Sequence, residues 1–380
     1  MVAAPPPDRS RQDIGAEREA RRGPAAIDDD PTGGPPDAVS LVRAGTQPPH
    51  GERVTTRAVA LATDRAYLPW TATAVLSCLR AHGGGVDVHL THAGDVTAHD
   101  LRRLAGMVDR EGGRLHPLPV DALSLGRLPS GVLAHGGAVS CARLVLPEAL
   151  PHLDRLVYLD ADTMVRRPLD ELWTVPLDGL PLAAVRNVVE PSAADRLRHL
   201  GADPERYLNS GVLVMDLARM RELGTSSQLL DVVRREGERL LWVDQDALNL
   251  ALGAGWLELH PRWNAQNSFW HWAERAERLL GPDAVRAARA DPAVVHFEGP
   301  WLCKPWHYLC DSPHVGAYRA LLRQTPWAGT PLTDRTIVTR GIRRLPARHR
   351  TAAFVRLVRT RRLVQRVRTR VSRGGGPTAS

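Results

Sequence analysis

Lysine is almost absent from this chain of 380 residues, in which Lys304 is the only one. The other 49 of its 50 lysine and arginine residues are arginine, although lysine is normally among the commonest residues of soluble domains. A GC-rich bacterial genome would remove lysine codons without any chemical demand, so the arginines need no functional explanation. The exception, which lies within HFEGPWLCKPW at residues 296–306, does need one.

Cysteine and long apolar runs are scarce as well. There are four cysteines, at positions 78, 141, 303 and 310, and no CxxC pair. The first residues, MVAAPPPDRSRQD, lack an apolar signal-peptide region, and no run approaches the roughly 20 residues of a membrane span. We therefore expect a reduced, cytoplasmic protein with free thiols. Cys303, His307 and Cys310 could bind zinc with a fourth ligand, but their spacing matches no familiar zinc module.

Acidic residues are missing from the C-terminal end of the chain. The net charge of +8 is concentrated after Asp334, where no Asp or Glu occurs and arginines run from Arg335 to Arg373. Residues 351–371 place apolar side chains, Phe354 among them, at helical spacing between arginines, which predicts a basic amphipathic helix. We expect peripheral contact of this tail with an anionic membrane at the inner face, and no nucleic-acid partner, because phosphate contacts need no apolar stripe. The alternative is that the helix packs on the protein's own core.

The composition divides the chain into three parts. Residues 1–53 are rich in Pro, Gly, Asp and Arg, and we predict disorder there. Residues 54–331 form the predicted catalytic domain, and residues 332–380 form the Arg-rich amphipathic tail. Within the domain, strands are predicted at 57–64, 86–93, 156–159, 181–189 and 211–217, and helices at 68–82, 97–112, 140–150 and 244–252. This alternation predicts an α/β sheet flanked by helices.

An acidic pair follows one of these strands, in LVYLDADTMV. Asp160 and Asp162 are two residues apart, so their side chains point to the same side of an extended chain. Two such carboxylates repel each other unless a positive group lies between them, and a hard divalent cation is the usual one. Ligands of open α/β sheets bind beyond the carboxyl ends of strands, so the pair predicts a metal site. The alternative is a solvated loop with two acids.

The same residues fit a second class of enzyme. DADT, at residues 160–163, matches the DxDxT opening of haloacid-dehalogenase-type phosphatases, in which the first Asp is the nucleophile. Those enzymes resemble one another in needing a later Ser or Thr, then a Lys, then an acidic pair for magnesium. The only acidic residues after Lys304 are the isolated Asp311 and Asp334. The chain therefore lacks the acidic pair that these enzymes require.

Five further motifs surround the acidic pair in a characteristic order. They are ATDRAY (62–67), CARL (141–144), YLNSGVLVMDL (207–217), DQDALN (244–249) and HFEGPWLCKPW (296–306). Together with YLDADTMV they resemble family 8 of the retaining glycosyltransferases, which contains bacterial lipopolysaccharide galactosyl- and glucosyltransferases and glycogenin, over about residues 58–310. The resemblance implies a GT-A fold with a Rossmann-like mixed central sheet. It also implies transfer of a hexose, glucose or galactose first, from a UDP-sugar to an unknown acceptor, with Mn²⁺ as cofactor and Mg²⁺ as the alternative.

The resemblance also implies roles, residue by residue. The metal ligands match Asp160, Asp162 and His296. The other positions are the uracil contacts Asp64 and Tyr67, the nucleotide-side Arg143, the donor-sugar contacts Asn209 and Asp244, Gln245 beside the anomeric carbon, and Gly299 and Lys304 in the loop that closes over the diphosphate. Gln245, Asp244 and Lys304 are the expected catalytic residues. Because an amide is a poor nucleophile, Gln245 favours a front-face mechanism, and Asp244 or Asp246 as a transient nucleophile is the alternative.

Plainer roles stay open for several of these residues. Asp64 and Asp244 could cap the helices that follow them, residues 209–211 could form a turn before a strand, and His296 could be a core histidine. The whole chain could also be a non-catalytic sugar-nucleotide-binding protein with a membrane- or nucleic-acid-binding tail, but the complete metal set argues against this.

Two departures from the family pattern bear on the site. His296 and Lys304 are two residues further apart than in HxxGxxK, so residues near 301–302 must bulge if the lysine is to reach the phosphate. Asn187 stands where many relatives carry an Asp near the sugar, which leaves the donor-sugar preference open.

Overall fold

The computed structural model describes residues 57–123, 128, 137–299, 301–346, 349–350, 353–354 and 356–357. The disorder predicted for residues 1–53 and most of the helix predicted at 351–371 lie outside the described residues.

A mixed seven-stranded sheet, of order β3-β2-β1-β4-β7-β6-β8, forms the centre of the fold. Its strands are β1 (Ala58–Thr63), β2 (Asp87–His92), β3 (Arg114–Pro119), β4 (Arg155–Leu159), β6 (Leu182–Arg186), β7 (Leu208–Asp216) and β8 (Leu257–Glu258). Strands β1 to β4 are parallel, whereas β7 is antiparallel to both β4 and β6. The predicted α/β class is confirmed.

Both faces of this sheet are covered at its centre, which explains why β1 is apolar from Ala58 to Ala62 instead of alternating. Val59 and Leu61 of β1 belong to one buried cluster, and Ala58 and Ala60 belong to another on the opposite face. Successive side chains of a strand point to opposite faces, so a strand buried on both sides must be apolar at every position.

Three of the four helices that the sequence predicts in the domain, at 68–82, 97–112 and 244–252, are present, and the described residues form further helices that were not predicted. In chain order the helices are α1 (Leu68–His82), α2 (Ala98–Arg110), α3 (Gly137–Cys141), α4 (Leu146–Ala149), α5 (Asp170–Thr174), α6 (Pro191–Leu200), α7 (Leu217–Glu222), α8 (Thr225–Glu236), α9 (Val243–Leu252), α10 (Ser268–His271), α11 (Ala273–Leu280), α12 (Pro282–Ala290), α13 (Val315–Leu322) and α14 (Ile337–Arg343). The single helix predicted at 140–150 is wrong. It is divided into α3, a 3₁₀ turn at Ala142–Val145 and α4, because Pro147 has no N–H to donate.

Two strands differ from the prediction for local reasons. β3 was missed because Pro117 and Pro119 lower its strand propensity, yet it pairs only with β2 among the described residues, at an edge where proline is tolerated. β7 begins at Leu208, before the predicted start, so the NSG tripeptide at 209–211 lies inside a strand. The turn alternative for that tripeptide is therefore wrong.

A small second sheet completes the arrangement of the site. It contains β5 (Thr163–Val165), β9 (Ala265–Gln266) and β10 (Val294–His296), with β10 in the middle. His296 is the register partner of Thr163 on one side and of Gln266 on the other. Because β5 directly follows the acidic pair, this pairing brings His296 beside Asp162.

The described part of the predicted tail contacts the catalytic domain. Thr333 N–H donates to the Trp306 carbonyl at 2.9 Å, and Tyr308 N–H donates to the Thr333 carbonyl at 3.0 Å. Phe354 is 1% exposed and packs with Leu309 and Ile342. For Phe354, the expectation of membrane contact is therefore wrong, since its side chain belongs to a buried apolar cluster. No helix within the described ranges is both long and apolar enough for a bilayer span.

Candidate active site

Three side chains that the sequence selected as metal ligands converge beyond the carboxyl end of β4. His296 Nε2 lies 3.3 Å from Asp162 Oδ1 and 3.8 Å from Asp160 Oδ2. One ligand atom from each residue lies within 4.8 Å of the others, and no second group of this kind occurs among the described residues. Neighbouring oxygen ligands of an octahedral Mg²⁺-sized ion are about 3 Å apart. The residues therefore fit a divalent cation with small adjustments.

Cationic groups already neutralise the two carboxylates. Arg143 Nη2 lies 2.8 Å from Asp160 Oδ1, and Lys304 forms an ion pair with Asp162. Burial raises the pKa of Asp162, but Lys304 and His296 lower it by more. The pKa of Asp162 is therefore well below its usual range. Burial lowers the pKa of His296, but Asp162 and Asp160 together raise it above the usual value. In the described structure, the positive charge beside the two carboxylates thus comes from Arg143, His296 and Lys304.

Arg143 links the acidic pair to the helix that carries Asp244 and Gln245. Its guanidinium lies 3.1 Å from Asp244 Oδ2 and donates to the Ser210 carbonyl at 2.8 Å. Burial lowers the pKa of Arg143, but Asp160 and Asp244 raise it more. Burial also raises the pKa of Asp244 in spite of the opposing effect of Arg143. One buried arginine therefore fixes the relative positions of two carboxylates from different elements.

The carboxylate that holds the start of α9 is Asp246. It accepts hydrogen bonds from Leu241 N–H at 2.7 Å and Trp242 N–H at 3.1 Å, and it contacts Tyr207 and Arg196. The N-cap residue of α9, Trp242, makes no side-chain cap bond. The capping alternative for the other acid of this motif, at position 244, is therefore wrong.

Asp244 and Gln245 are both held by Ser210. The Ser210 hydroxyl donates to Asp244 Oδ2 at 3.0 Å, and the Ser210 N–H donates to Gln245 Oε1 at 3.0 Å. Since Gln245 Oε1 is engaged by a backbone donor, its orientation is fixed. Ser210 is a functional neighbour that the sequence reasoning treated only as part of a turn.

His296 is held against the backbone of β7. A Cβ at Gly211 would lie 2.1 Å from His296 Cε1, so the imidazole occupies the space that any larger residue would fill. The Gly211 carbonyl also accepts from Asp160 N–H at 2.8 Å. The core-histidine alternative accounts for the burial of His296, but not for its contacts with two carboxylates.

Asn264 is a site neighbour that the sequence reasoning missed. Its Oδ1 lies 3.0 Å from His296 Nδ1, and its Nδ2 donates to Asn209 Oδ1 at 2.8 Å. The available signal was the amide-rich stretch WNAQN at residues 263–267. That stretch has no strand or helix periodicity, so it did not stand out.

The loop after β10 returns Lys304 to the acidic pair. A 3₁₀ turn at Trp301–Cys303 lies where the sequence predicts a bulge. Lys304 Nζ donates to Asp162 and, at 3.1 Å, to the Phe297 carbonyl. Gly299 has φ +95°, a conformation that favours glycine.

The residues matched to the uracil, Asp64 and Tyr67, lie in the turn that leads into α1. Asp64 Oδ1 accepts from Tyr67 N–H at 2.7 Å, which orders the turn before α1, but the N-cap residue is Tyr67. The Tyr67 ring is 44% exposed and lies edge-on to Trp306, with 5.8 Å between ring centroids. Trp306 in turn stacks on Trp70 at 4.7 Å. This exposed aromatic edge suits a planar ring.

Comparisons with known proteins agree with this geometry. Residues 58–310, more than half of the chain, match the model of glycosyl transferase family 8. General stress protein A of Bacillus subtilis (strain 168) is 30% identical over 190 residues, which cover 49% of this chain and 65% of that protein. The lipopolysaccharide 1,2-glucosyltransferase of Escherichia coli (strain K12) is 29% identical over 178 residues, which cover 46% and 51%. This chain thus spans only about half to two thirds of these relatives' length.

A solved structure of the galactosyltransferase LgtC with donor and acceptor sugar analogues has a TM-score of 0.59 and 24% sequence identity. The match covers 75% of this chain and 99% of that chain. At this identity it establishes the fold, and the predicted GT-A fold is confirmed. The phosphatase alternative is wrong, because the residues that suggested it lie within the matched family region. The chain belongs to glycosyl transferase family 8.

Proposed function

We propose that this chain transfers a hexose from a UDP-sugar, glucose or galactose first, to an acceptor in a metal-dependent reaction. The observation that carries the proposal is the Asp160–Asp162–His296 group at the carboxyl end of β4, within a family 8 domain. Two carboxylates and one imidazole form a borderline donor set, which favours Mn²⁺ over Ca²⁺. Mg²⁺ remains the alternative ion.

The chemistry centres on the departing UDP. When bound, the metal would supply Lewis-acid stabilisation of the negative charge that develops on the diphosphate. Lys304 adds a fixed ammonium beside Asp162, and a positioned cation stabilises the same developing charge. The exposed Tyr67 ring, which lies edge-on to the buried Trp306, offers a place for the uracil ring. In this proposal, binding and orientation come from the chain, and no strong nucleophile is needed.

The surroundings of the acids support a front-face mechanism. Asp246 is fully buried and engaged by four neighbouring groups, so it is unsuited to attack a sugar. Asp244 is paired with Arg143 and Ser210, which stabilise its charge and reduce its nucleophilicity. The Gln245 amide is held by Ser210. In the proposed mechanism, a phosphate oxygen of UDP accepts the proton of the acceptor hydroxyl.

Hydrolysis of UDP-glucose and UDP-galactose, measured with and without Mn²⁺, tests the proposal. We expect UDP release that requires the metal and is lost in Asp160→Asn. A matched control is Asp283→Asn, which changes a fully exposed acid on α12 and should leave the rate unchanged. Binding of UDP without any turnover would instead support a sugar-nucleotide-binding protein.

We also propose that the surface around α14 contacts an anionic membrane. Ile337 is 86% exposed and Val338 48% exposed, so two neighbouring apolar side chains face solvent. Arg340 and Arg344 lie on or beside the same short helix, and each basic residue near an anionic surface contributes about 1 kcal/mol. Pelleting with phosphatidylserine vesicles should fall in Ile337→Ser/Val338→Ser. Equal pelleting of this variant and the wild type would contradict the proposal.

A further inference from the structure

Three asparagine side chains form a continuous hydrogen-bonded relay that starts at His296. His296 Nδ1 lies 3.0 Å from Asn264 Oδ1, and Asn264 Nδ2 donates to Asn209 Oδ1 at 2.8 Å. Asn209 Nδ2 then donates to Asn187 Oδ1 at 2.9 Å. Asn264 is 0% exposed, so in the described structure its polar atoms have protein partners in place of water.

The direction of this relay follows from one backbone group. Gly211 N–H can only donate, so Asn209 Oδ1, 3.0 Å away, is an acceptor. The Asn264 atom that faces the same oxygen must therefore be its amide NH₂ group. Asn264 Oδ1 consequently faces His296 Nδ1, and that nitrogen must carry a hydrogen. Nε2 is left to face the acidic pair.

We propose that Asn264 is the positioning residue of this site: it holds His296 in the Nδ1–H tautomer, with Nε2 directed at the metal. This inference rests on the proposed function. Groups that orient a metal-bound histidine typically contribute 10–100-fold to metal affinity. The His296 ring lies close against Gly211, where a Cβ would come within 2.1 Å of Cε1, and Asn264 holds the Nδ1 side of the ring. Together they leave the imidazole one arrangement.

The relay also fixes which group Asn187 presents at its far end. Asn209 offers an NH₂ group, so Asn187 must accept with Oδ1, and its own NH₂ group is turned away from the relay. Gln266 holds the backbone on both sides of Asn187. It accepts from Val188 N–H at 3.3 Å and donates to the Arg186 carbonyl at 2.8 Å. Asn187→Asp would keep an acceptor for Asn209. The relay therefore tolerates an acid at position 187 but not at position 264.

Binding of Mn²⁺ with saturating UDP, followed by the electron paramagnetic resonance signal of free Mn²⁺, separates these roles. We expect Asn264→Leu, which removes the acceptor of the His296 Nδ1 hydrogen, to weaken Mn²⁺ binding about 10–100-fold. Asn264→Asp keeps an acceptor for that hydrogen and breaks only the link to Asn209, so it should retain most of the Mn²⁺ affinity. Asn187→Asp should change Mn²⁺ affinity less than about twofold, since its acceptor remains.

A merely structural role for Asn264 has its own control. Gln266→Glu introduces a buried acid two residues after Asn264 in the chain, within β9 and outside the relay. It should lower the melting temperature without weakening Mn²⁺ binding. Equal Mn²⁺ affinity in the wild type and a folded Asn264→Leu would overturn the inference, as would an equal loss in Gln266→Glu. If the wild type itself bound no Mn²⁺ in the presence of UDP, the proposed function would fail instead.

Discussion

Lys304 donates from Nζ both to the Asp162 carboxylate and to the Phe297 carbonyl. Burial lowers the pKa of this lysine, but Asp162 raises it more strongly, so the ammonium stays charged. The only lysine of the chain thus lies, half-buried, between the Asp162 carboxylate and a backbone oxygen. A compact ammonium can donate to both oxygens, whereas the wide planar guanidinium of arginine offers a different donor geometry.

We predict that Lys304→Arg lowers the turnover of UDP-sugar hydrolysis at least about tenfold, although the charge is kept. Tenfold corresponds to about 1.4 kcal/mol of barrier, a modest loss for one misplaced charge-assisted hydrogen bond. Steady-state kinetics with UDP-glucose or UDP-galactose would measure the effect. Arg167→Lys, at an exposed ion pair with Asp291, is the control for lysine–arginine exchange. Wild-type turnover in Lys304→Arg would mean that the lone lysine is an accident of composition.

Gly211→Ala should weaken Mn²⁺ binding at least about tenfold. The added Cβ would lie 2.1 Å from His296 Cε1. Relief of this overlap must displace either the His296 ring or β7, at a cost of about 1–3 kcal/mol. Gly316→Ala is the control, because a Cβ there meets nothing within 4 Å. Titration calorimetry and thermal unfolding of both variants would show the contrast. Unchanged Mn²⁺ affinity in Gly211→Ala would contradict the site geometry.

Asp244 and Asp246 should respond differently to substitution. Asp246→Ala removes the buried acceptor of two backbone N–H groups and of Tyr207, so we expect about 2–3 kcal/mol of lost unfolding free energy. Asp244→Asn should instead keep most stability and lose turnover. Urea denaturation together with the hydrolysis assay separates the two effects. A stable but inactive Asp246→Ala would point to a catalytic role that its burial argues against.

The stability of the fold should fall on mild acidification because of His89. Burial, helped by His116 and His152, lowers the pKa of His89 to about 4. Below about pH 6.5 the unfolded chain therefore binds a proton at His89 that the folded chain does not bind. The free energy of unfolding falls as the pH falls below this value. Between pH 7 and pH 5 this amounts to at most about 2 kcal/mol. Urea denaturation at both pH values should show a smaller loss in His89→Gln; an identical loss would assign the effect to other groups.

Truncation should be harmless only beyond the packed part of the tail. Removal of residues 332–380 deletes the Thr333 backbone contacts and Phe354, and loss of a buried Phe alone costs about 3–5 kcal/mol. Removal of residues 358–380 leaves these contacts in place and should not change the hydrolysis rate. Melting temperatures and rates of both truncated proteins would test this. Equal stability of the two would show that the contacts of residues 333–357 contribute little.

The sequence predicted five of the seven strands of the central sheet, mainly because burial on both faces makes the strands at its centre apolar runs, and it predicted the acidic pair from its place after one of them. It missed β3, which contains two prolines, and β8, which has only two residues. It could not predict the role of Asn264. That residue directly precedes β9, a strand of two residues. The pairing of β9 with β10 joins positions about 30 residues apart in the chain and brings Asn264 close to His296. Nor could it show that Ser210 holds two residues of α9, because this contact depends on how β7 and α9 pack.

The central claim is that Asp160, Asp162 and His296 hold a metal that binds the diphosphate. Calorimetric titration of UDP into the wild type and into His296→Leu, each with Mn²⁺ and after chelation, tests it most directly. We predict that Mn²⁺ tightens UDP binding by the wild type at least about tenfold, or about 1.4 kcal/mol, and has no effect on His296→Leu. UDP binding by the wild type that is indifferent to Mn²⁺, or full Mn²⁺ dependence in His296→Leu, would contradict the account.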